Sequence, residues 1–178
     1  MMSGGLTTDE PAASARVTTD DLLLHHEVCQ FLYREARLQD RHEYDAWEAL
    51  WTDDAVYWAP ANGDDTVDPE REMSIIYDNR SRIALRVRQL RTGRRWTQEP
   101  KSRLCRVISN VEVRLRDDGE LDVASNAVIY EASPRGEVIW PTRNKFVLRR
   151  LGDTLRMARK TVLLPNNDLP LYTMSFLI

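Results

Sequence analysis

A chain of 178 residues with 42% hydrophobic residues, 30% charged residues and five tryptophans has material for one core and shows no second composition regime. A formal net charge of −3 gives no overall attraction to nucleic acid, and no apolar run approaches the roughly 20 residues that span a bilayer, so neither partner is expected. Cys29 and Cys105 stand outside any CxxC spacing and are too few for a disulfide framework; a reducing cytoplasm and two small core positions are the expectation.

Residues 1–17 are rich in Ser, Thr, Gly and Ala without the basic and apolar parts of a secretory signal, and read as a disordered N-terminal tail ahead of a single domain over 18–178. Thr18 or Thr19 can cap a helix whose first turn holds Asp20 and Asp21. Leu24, Val28, Phe31, Leu32 and Leu38 give that helix one apolar stripe and carry it to about Asp40. Tyr44, Trp47, Leu50 and Trp51 repeat the spacing in a short second helix, Glu43 to Trp51, which Asp53 and Asp54 break.

Ala55 to Ala59 is aromatic and β-prone and stops at Pro60, ahead of an acidic loop. Met73 to Tyr77 reads as a strand, and Asp78 or Ser81 can then start a helix with Ile83, Ala84, Val87 and Leu90 on one face, ending by Gly93. From Ser102 the period changes to two. Cys105, Val107, Val111, Val113 and Leu115 fall on one face, and Arg106, Asn110, Glu112 and Arg114 on the other.

Turn signals at Asp117-Asp118-Gly119, Ser133-Pro134-Arg135-Gly136 and Gly152-Asp153 divide the rest into an antiparallel meander with strands near Ser102–Leu115, Leu121–Ala132, Glu137–Leu151 and Thr154–Leu164. Helices first and long twisted strands afterwards make an α+β fold, with the helices covering one face of a mainly antiparallel sheet. The closing stretch, Leu169 to Ile178, ends on Tyr172, Met174, Phe176, Leu177 and Ile178 and is expected to be buried in its own sheet or against a neighbouring chain.

His25, His26 and His42 are the only histidines; adjacent helix positions point about 100° apart, whereas a chelating pair needs a spacing of three or four. A Rieske cluster requires two Cys and two His in paired short motifs, and a mononuclear iron site two converging His and a carboxylate; neither pattern is present. Asp40, Asp45, Asp53, Tyr57 and Tyr77 are the residues a concave site could draw together for acid–base chemistry, although carboxylates this common usually serve as surface groups or caps.

Arg80, Arg82, Arg86, Arg88, Arg91, Arg94 and Arg95 flank an apolar helical stripe, with Trp96 as the one interleaved aromatic, which suits a solvated face or an acidic partner surface better than nucleic acid. Tyr44, Trp47, Trp51, Tyr57 and Trp58 have the spacing of core packing or a subunit contact. Arg143 and Arg159 fall within strand-like runs, where an inward charge would require a partner.

Phe31-Leu32-Tyr33-Arg34-Glu35-Ala36-Arg37-Leu38, Tyr44-Asp45-Ala46-Trp47, Asp53 to Pro60, Ile75 to Arg80, Ser102-Arg103 with Ser109-Asn110-Val111, and Ala158 to Leu164 follow one another along the chain. In that succession they resemble the small (beta) subunits of aromatic-ring-hydroxylating dioxygenases, the Rieske non-haem iron oxygenases. Arg106, where many relatives carry His, and Asn79, where Asp is common, depart from the pattern.

The resemblance implies a cone-shaped, nuclear-transport-factor-like fold shared with ketosteroid isomerase and scytalone dehydratase. It also implies a hexamer of three large and three small subunits, with contacts to the large (alpha) subunit and between small subunits. On that reading the large subunit holds the Rieske [2Fe-2S] cluster and mononuclear non-haem iron, a separate reductase delivers electrons from NADH, and this chain has no catalytic, cofactor-binding or metal residue of its own. The alternative is a stand-alone isomerase, dehydratase or cyclase of the same fold using a Tyr/Asp acid–base pair.

Overall fold

The computed structural model describes residues 16–93, 99–167 and 171–178. Most of the predicted tail, together with Arg94, Arg95, Trp96 and Leu169, lies outside them. Helix α1 spans Thr19–Asp40, and Thr18 caps it in a reciprocal box: its hydroxyl accepts from the Asp21 N–H while the Asp21 carboxylate accepts from the Thr18 N–H. At the other end His42 adopts a positive φ of 56°, and the bonds His42 N–H to Gln39 and Glu43 N–H to Leu38 close a Schellman motif.

Helix α2 is only Tyr44–Glu48, shorter than the spacing predicts, because strand β1 begins at Trp51 and runs to Pro60. Asp53 and Asp54 therefore sit inside a strand. They are tolerated because β1 breaks register with its neighbour between Trp51 and Val56, which turns both acids to solvent, where Asp54 meets Arg149 at 2.9 Å. Strand β2 (Ser74–Asn79) leads directly into α3 (Arg80–Arg91), for which Asn79 supplies the cap by accepting from the Arg82 N–H.

Strands β3 (Arg103–Leu115), β4 (Leu121–Ser133), β5 (Gly136–Leu151) and β6 (Thr154–Leu163) form the predicted meander. The six-stranded sheet has the order β2-β1-β6-β5-β4-β3, antiparallel throughout except for β1 beside β6. It curves around the helices, and α1 residues Val28, Phe31 and Leu32 share one core with Ile129 of β4, Phe146 of β5 and Met157 of β6. Arg150 of β5 clamps α1 from outside with two bonds to Glu27 at 2.8 and 2.6 Å.

Two bulges decide what enters this core. In β3, Asn110 takes a φ of 51° and the pairing with β4 jumps between Ser109 and Glu112. Leu104, Arg106 and Ile108 thus point inward before the bulge and Val111 and Val113 after it, so strict alternation puts Cys105 and Val107 on the wrong face. Both are exposed; of the two cysteines, Cys29 alone is buried. In β6, Ala158 is the extra residue between the pairs Met157–Leu148 and Arg159–Val147. Arg159 faces outward as a result, and Lys160 turns in.

Candidate functional site

The inward face of the sheet and the underside of α1 enclose a polar centre. Glu35, one helical turn beyond the core residues Phe31 and Leu32, accepts from the Lys160 ammonium at 2.9 Å and from Trp47 Nε1 at 2.8 Å. Burial pulls the Lys160 ammonium below its usual range, and the Glu35 carboxylate beside it opposes that pull. Tyr57 of β1 lies beneath the same pair, with its phenol pushed well above the usual range chiefly by burial.

The segment Ser175–Ile178 is buried against this centre. The Tyr57 hydroxyl donates to a main-chain oxygen of Ile178 and accepts from its N–H at 3.2 Å, and Gln39 Nε2 donates to the same oxygen at 3.3 Å. Arg106, its side chain only 2% exposed, is held between the Asp40 carboxylate and the Leu177 carbonyl, to both of which it donates. Glu131 anchors the adjoining residues: it accepts from Ser102 at 2.6 Å, Trp140 at 2.9 Å and Ser175 at 3.3 Å.

The five residues singled out for acid–base work are not brought together. Tyr57 is internal and bonded to Ile178, Asp40 is at the rim with Arg106, and Asp45 is paired outside with Arg91 at 3.1 Å. Asp53 is exposed, and the Tyr77 hydroxyl donates to Glu70 at 2.9 Å on the surface, where that bond is the main cause of its raised pKa. The geometry that the stand-alone enzyme requires, an open pocket with a Tyr–Asp pair, is not formed by these groups.

The histidines are likewise apart. His25 contacts the Val111 carbonyl at 3.1 Å, His42 the Ser102 carbonyl at 2.9 Å, and His26 is exposed. Among the described residues no three His, Cys, Asp or Glu side chains stand together as an ion's ligands would, so the residues present do not fit a Rieske cluster or a mononuclear iron. Arg80, Arg86 and Arg91 are engaged within the chain by Glu48, Asp78 and Asp45.

The aromatic cluster is core: Trp47, Trp51 and Tyr57 meet edge-on or tilted at 5.3 to 5.9 Å. Trp58 points to the opposite face, where it donates to Ser74 and carries Arg159 over its ring. Arg143 is exposed and has no carboxylate within 4.0 Å among the described residues. The buried charges that matter, Glu35, Arg106 and Lys160, are ones that alternation alone does not identify.

The outward face of the sheet carries an unusual apolar stripe. Val107 opposes Val128 across β3 and β4, and Tyr130 opposes Ile139 across β4 and β5, all four exposed. A cavity of about 530 Å³ is lined in part by Trp58, Lys145 and Arg159.

Residues 34–170 match the family model described as the ring hydroxylating beta subunit. The chain belongs to that family. It is 33% identical over 153 residues to the anthranilate 1,2-dioxygenase small subunit of Acinetobacter baylyi, covering 83% of this chain and 93% of that one. It is 29% identical over 151 residues to the benzoate 1,2-dioxygenase subunit beta of the same organism, covering 83% and 89%. Among solved structures it resembles the beta subunit of the benzoate 1,2-dioxygenase of Burkholderia mallei with a TM-score of 0.65, at 26% identity over 88% of this chain and 96% of that one. The family match takes in Glu35, Tyr57, Arg106 and Lys160 and stops before the buried segment 175–178.

Proposed function

We propose that this ring-hydroxylating dioxygenase beta subunit is a structural, non-catalytic component of an oxygenase that adds both atoms of O2 to an aromatic ring. The observation that carries this reading is the family match across residues 34–170 in a chain whose described His, Cys and acidic side chains form no metal-ligand group. The metal centres, a Rieske [2Fe-2S] cluster and a mononuclear non-haem iron, belong on this reading to the large subunit, with NADH as electron source through a separate reductase. Three large and three small subunits form the assembly, in the cytoplasm, with small subunits touching one another.

The apolar outward stripe of Val107, Val128, Tyr130 and Ile139 supports a chain that works inside an assembly, since contiguous exposed apolar surface is costly on a free monomer. Relatives named for anthranilate and benzoate favour an aromatic carboxylate as the substrate class, attacked at the 1,2 positions.

Co-expression with the large subunit, followed by size-exclusion chromatography and iron analysis, tests the reading. The expected result is a stable mixed complex, with iron in the large subunit and neither iron nor arene turnover in this chain alone. A large subunit equally stable, trimeric and active without this chain overturns the structural role.

A further inference from the structure

The outward face of the sheet, opposite the buried polar centre, has a groove built by residue size. Glu112, Ala124, Lys145, Thr161 and Trp58 are successive pairing partners across β3, β4, β5, β6 and β1. In the adjoining row Arg114, Asp122, Val147 and Arg159 are partnered in the same way. The short side chains of Ala124, Val147 and Thr161 form a floor between Glu112 and Arg114 on one side and Trp58 and Arg159 on the other, which is the cavity of about 530 Å³. Its size is that of small-ligand pockets, roughly 300–1,000 Å³. Asp65, from the loop after β1, joins the wall by pairing with Lys145 at 2.5 Å.

The charges in the groove are unevenly matched. Lys145 is paired with Asp65 and Arg114 with Asp122. Arg159 and Glu112 remain, and neither has an oppositely charged partner within 4.0 Å among the described residues. Arg159 is nonetheless fixed in direction. The extra residue Ala158 in β6 turns it to this face, and its guanidinium lies 5.9 Å from the centre of the Trp58 ring, itself held by a 2.9 Å bond to Ser74. Bulges of this kind re-aim side chains beside functional sites. A guanidinium stacked on an aromatic face keeps its edge donors free for a planar, bidentate acceptor. Glu112 on β3 stands three strands from Arg159 on β6, roughly 14 Å at the usual strand spacing.

We propose that this outer groove binds a flat organic monocarboxylate with a hydrogen-bond donor at its far end. Arg159 takes the carboxylate, the apolar body lies on Ala124 and Val147 beside Trp58, and Glu112 accepts from the donor. One negative charge is specified because one guanidinium is unmatched, and a second anionic group would meet the carboxylates of Asp65, Asp122 or Glu112. The groove lies on the opposite side of the sheet from Lys160 and Tyr57, apart from the interior of the cone. Binding there is a property of the folded chain, independent of its role in assembly.

Calorimetric titration of 6-hydroxy-2-naphthoate and 2-naphthoate into the full chain, Arg159→Gln and Glu112→Ala tests this, with circular dichroism confirming each fold. The hydroxylated acid is expected to bind with a Kd below about 1 mM and about fivefold more tightly than 2-naphthoate, because its hydroxyl adds a hydrogen bond to a charged group. Arg159→Gln should weaken both acids at least about tenfold, and Glu112→Ala should make their affinities equal. Absence of saturable binding to the unaltered chain, or binding unchanged in Arg159→Gln, overturns the proposal. Binding of 2-naphthamide as tight as that of 2-naphthoate overturns the anionic ligand class. If Arg159→Gln does not fold, the exposed Glu112 decides: a preference for the hydroxylated acid that is lost in Glu112→Ala supports the site, and one that survives overturns it.

Discussion

Lys160 of β6 donates to Glu35 of α1 at 2.9 Å, with the two side chains 3% and 4% exposed, and so ties sheet to helix through the middle of the core. Removing one member leaves the other charged and buried, which typically costs about 3–5 kcal/mol. Lys160→Met is therefore expected to lower unfolding stability in urea by that order. The double variant Glu35→Gln with Lys160→Met should recover much of the loss, because no lone charge remains. Additive losses would show that the two groups do not act as a pair.

Tyr57 sets an alkaline limit. Burial holds its phenol protonated in the folded chain above its ordinary value of 10.0. From about pH 10 upward the unfolded chain loses a proton that the folded chain retains, so stability present below that pH is lost as pH rises toward the folded value. Lys160 has the opposite sign: its lowered folded pKa makes stability grow as pH rises toward its unfolded value of 10.5. Urea unfolding between about pH 9 and about pH 11 should show a flatter decline for Tyr57→Phe than for the unaltered chain, and a parallel decline would place the effect in another group.

Arg106 joins Asp40 on α1 to the carbonyl of Leu177, and Ile178 N–H is bonded in turn to Tyr57. Arg106→Met deletes both guanidinium bonds in a site where hydrogen bonds to charged groups contribute about 1.5–3 kcal/mol. Loss of stability of that order is expected, together with faster hydrogen exchange at the Ile178 amide. Unchanged exchange there would mean that Arg106 does not hold the segment.

How far the residues announce this structure depends on local signals surviving tertiary context. The cap at Thr18, the apolar stripe of α1 and the hairpins at Gly119, Gly136 and Gly152 are local, and all stand where the chain places them. The parallel seating of β1 beside β6 joins residues about a hundred positions apart, and no local pattern encodes it. The polar centre was hidden for a more specific reason. Strict alternation sets Arg106 on the face opposite Cys105 and Val107 and gives Lys160 no special place, because it has no way to register the extra residues Asn110 and Ala158. Each bulge shifts the phase by one residue and so reverses which neighbours face inward.

That argument makes Asn110 a sensitive position. Its φ of 51° lies in the left-handed region, which asparagine and glycine tolerate and β-branched residues resist. Asn110→Gly should remain within about 1 kcal/mol of the unaltered chain, since glycine adopts the conformation freely. Asn110→Val should lose more than that, about 1–3 kcal/mol, because the strained backbone must be held against the side chain or the bulge must move. A moved bulge would shift the phase of the strand locally, threatening the inward positions of Ile108 or Val111. Urea midpoints for the two variants check the order, and a Val variant as stable as the Gly variant would show that the positive φ is not required there.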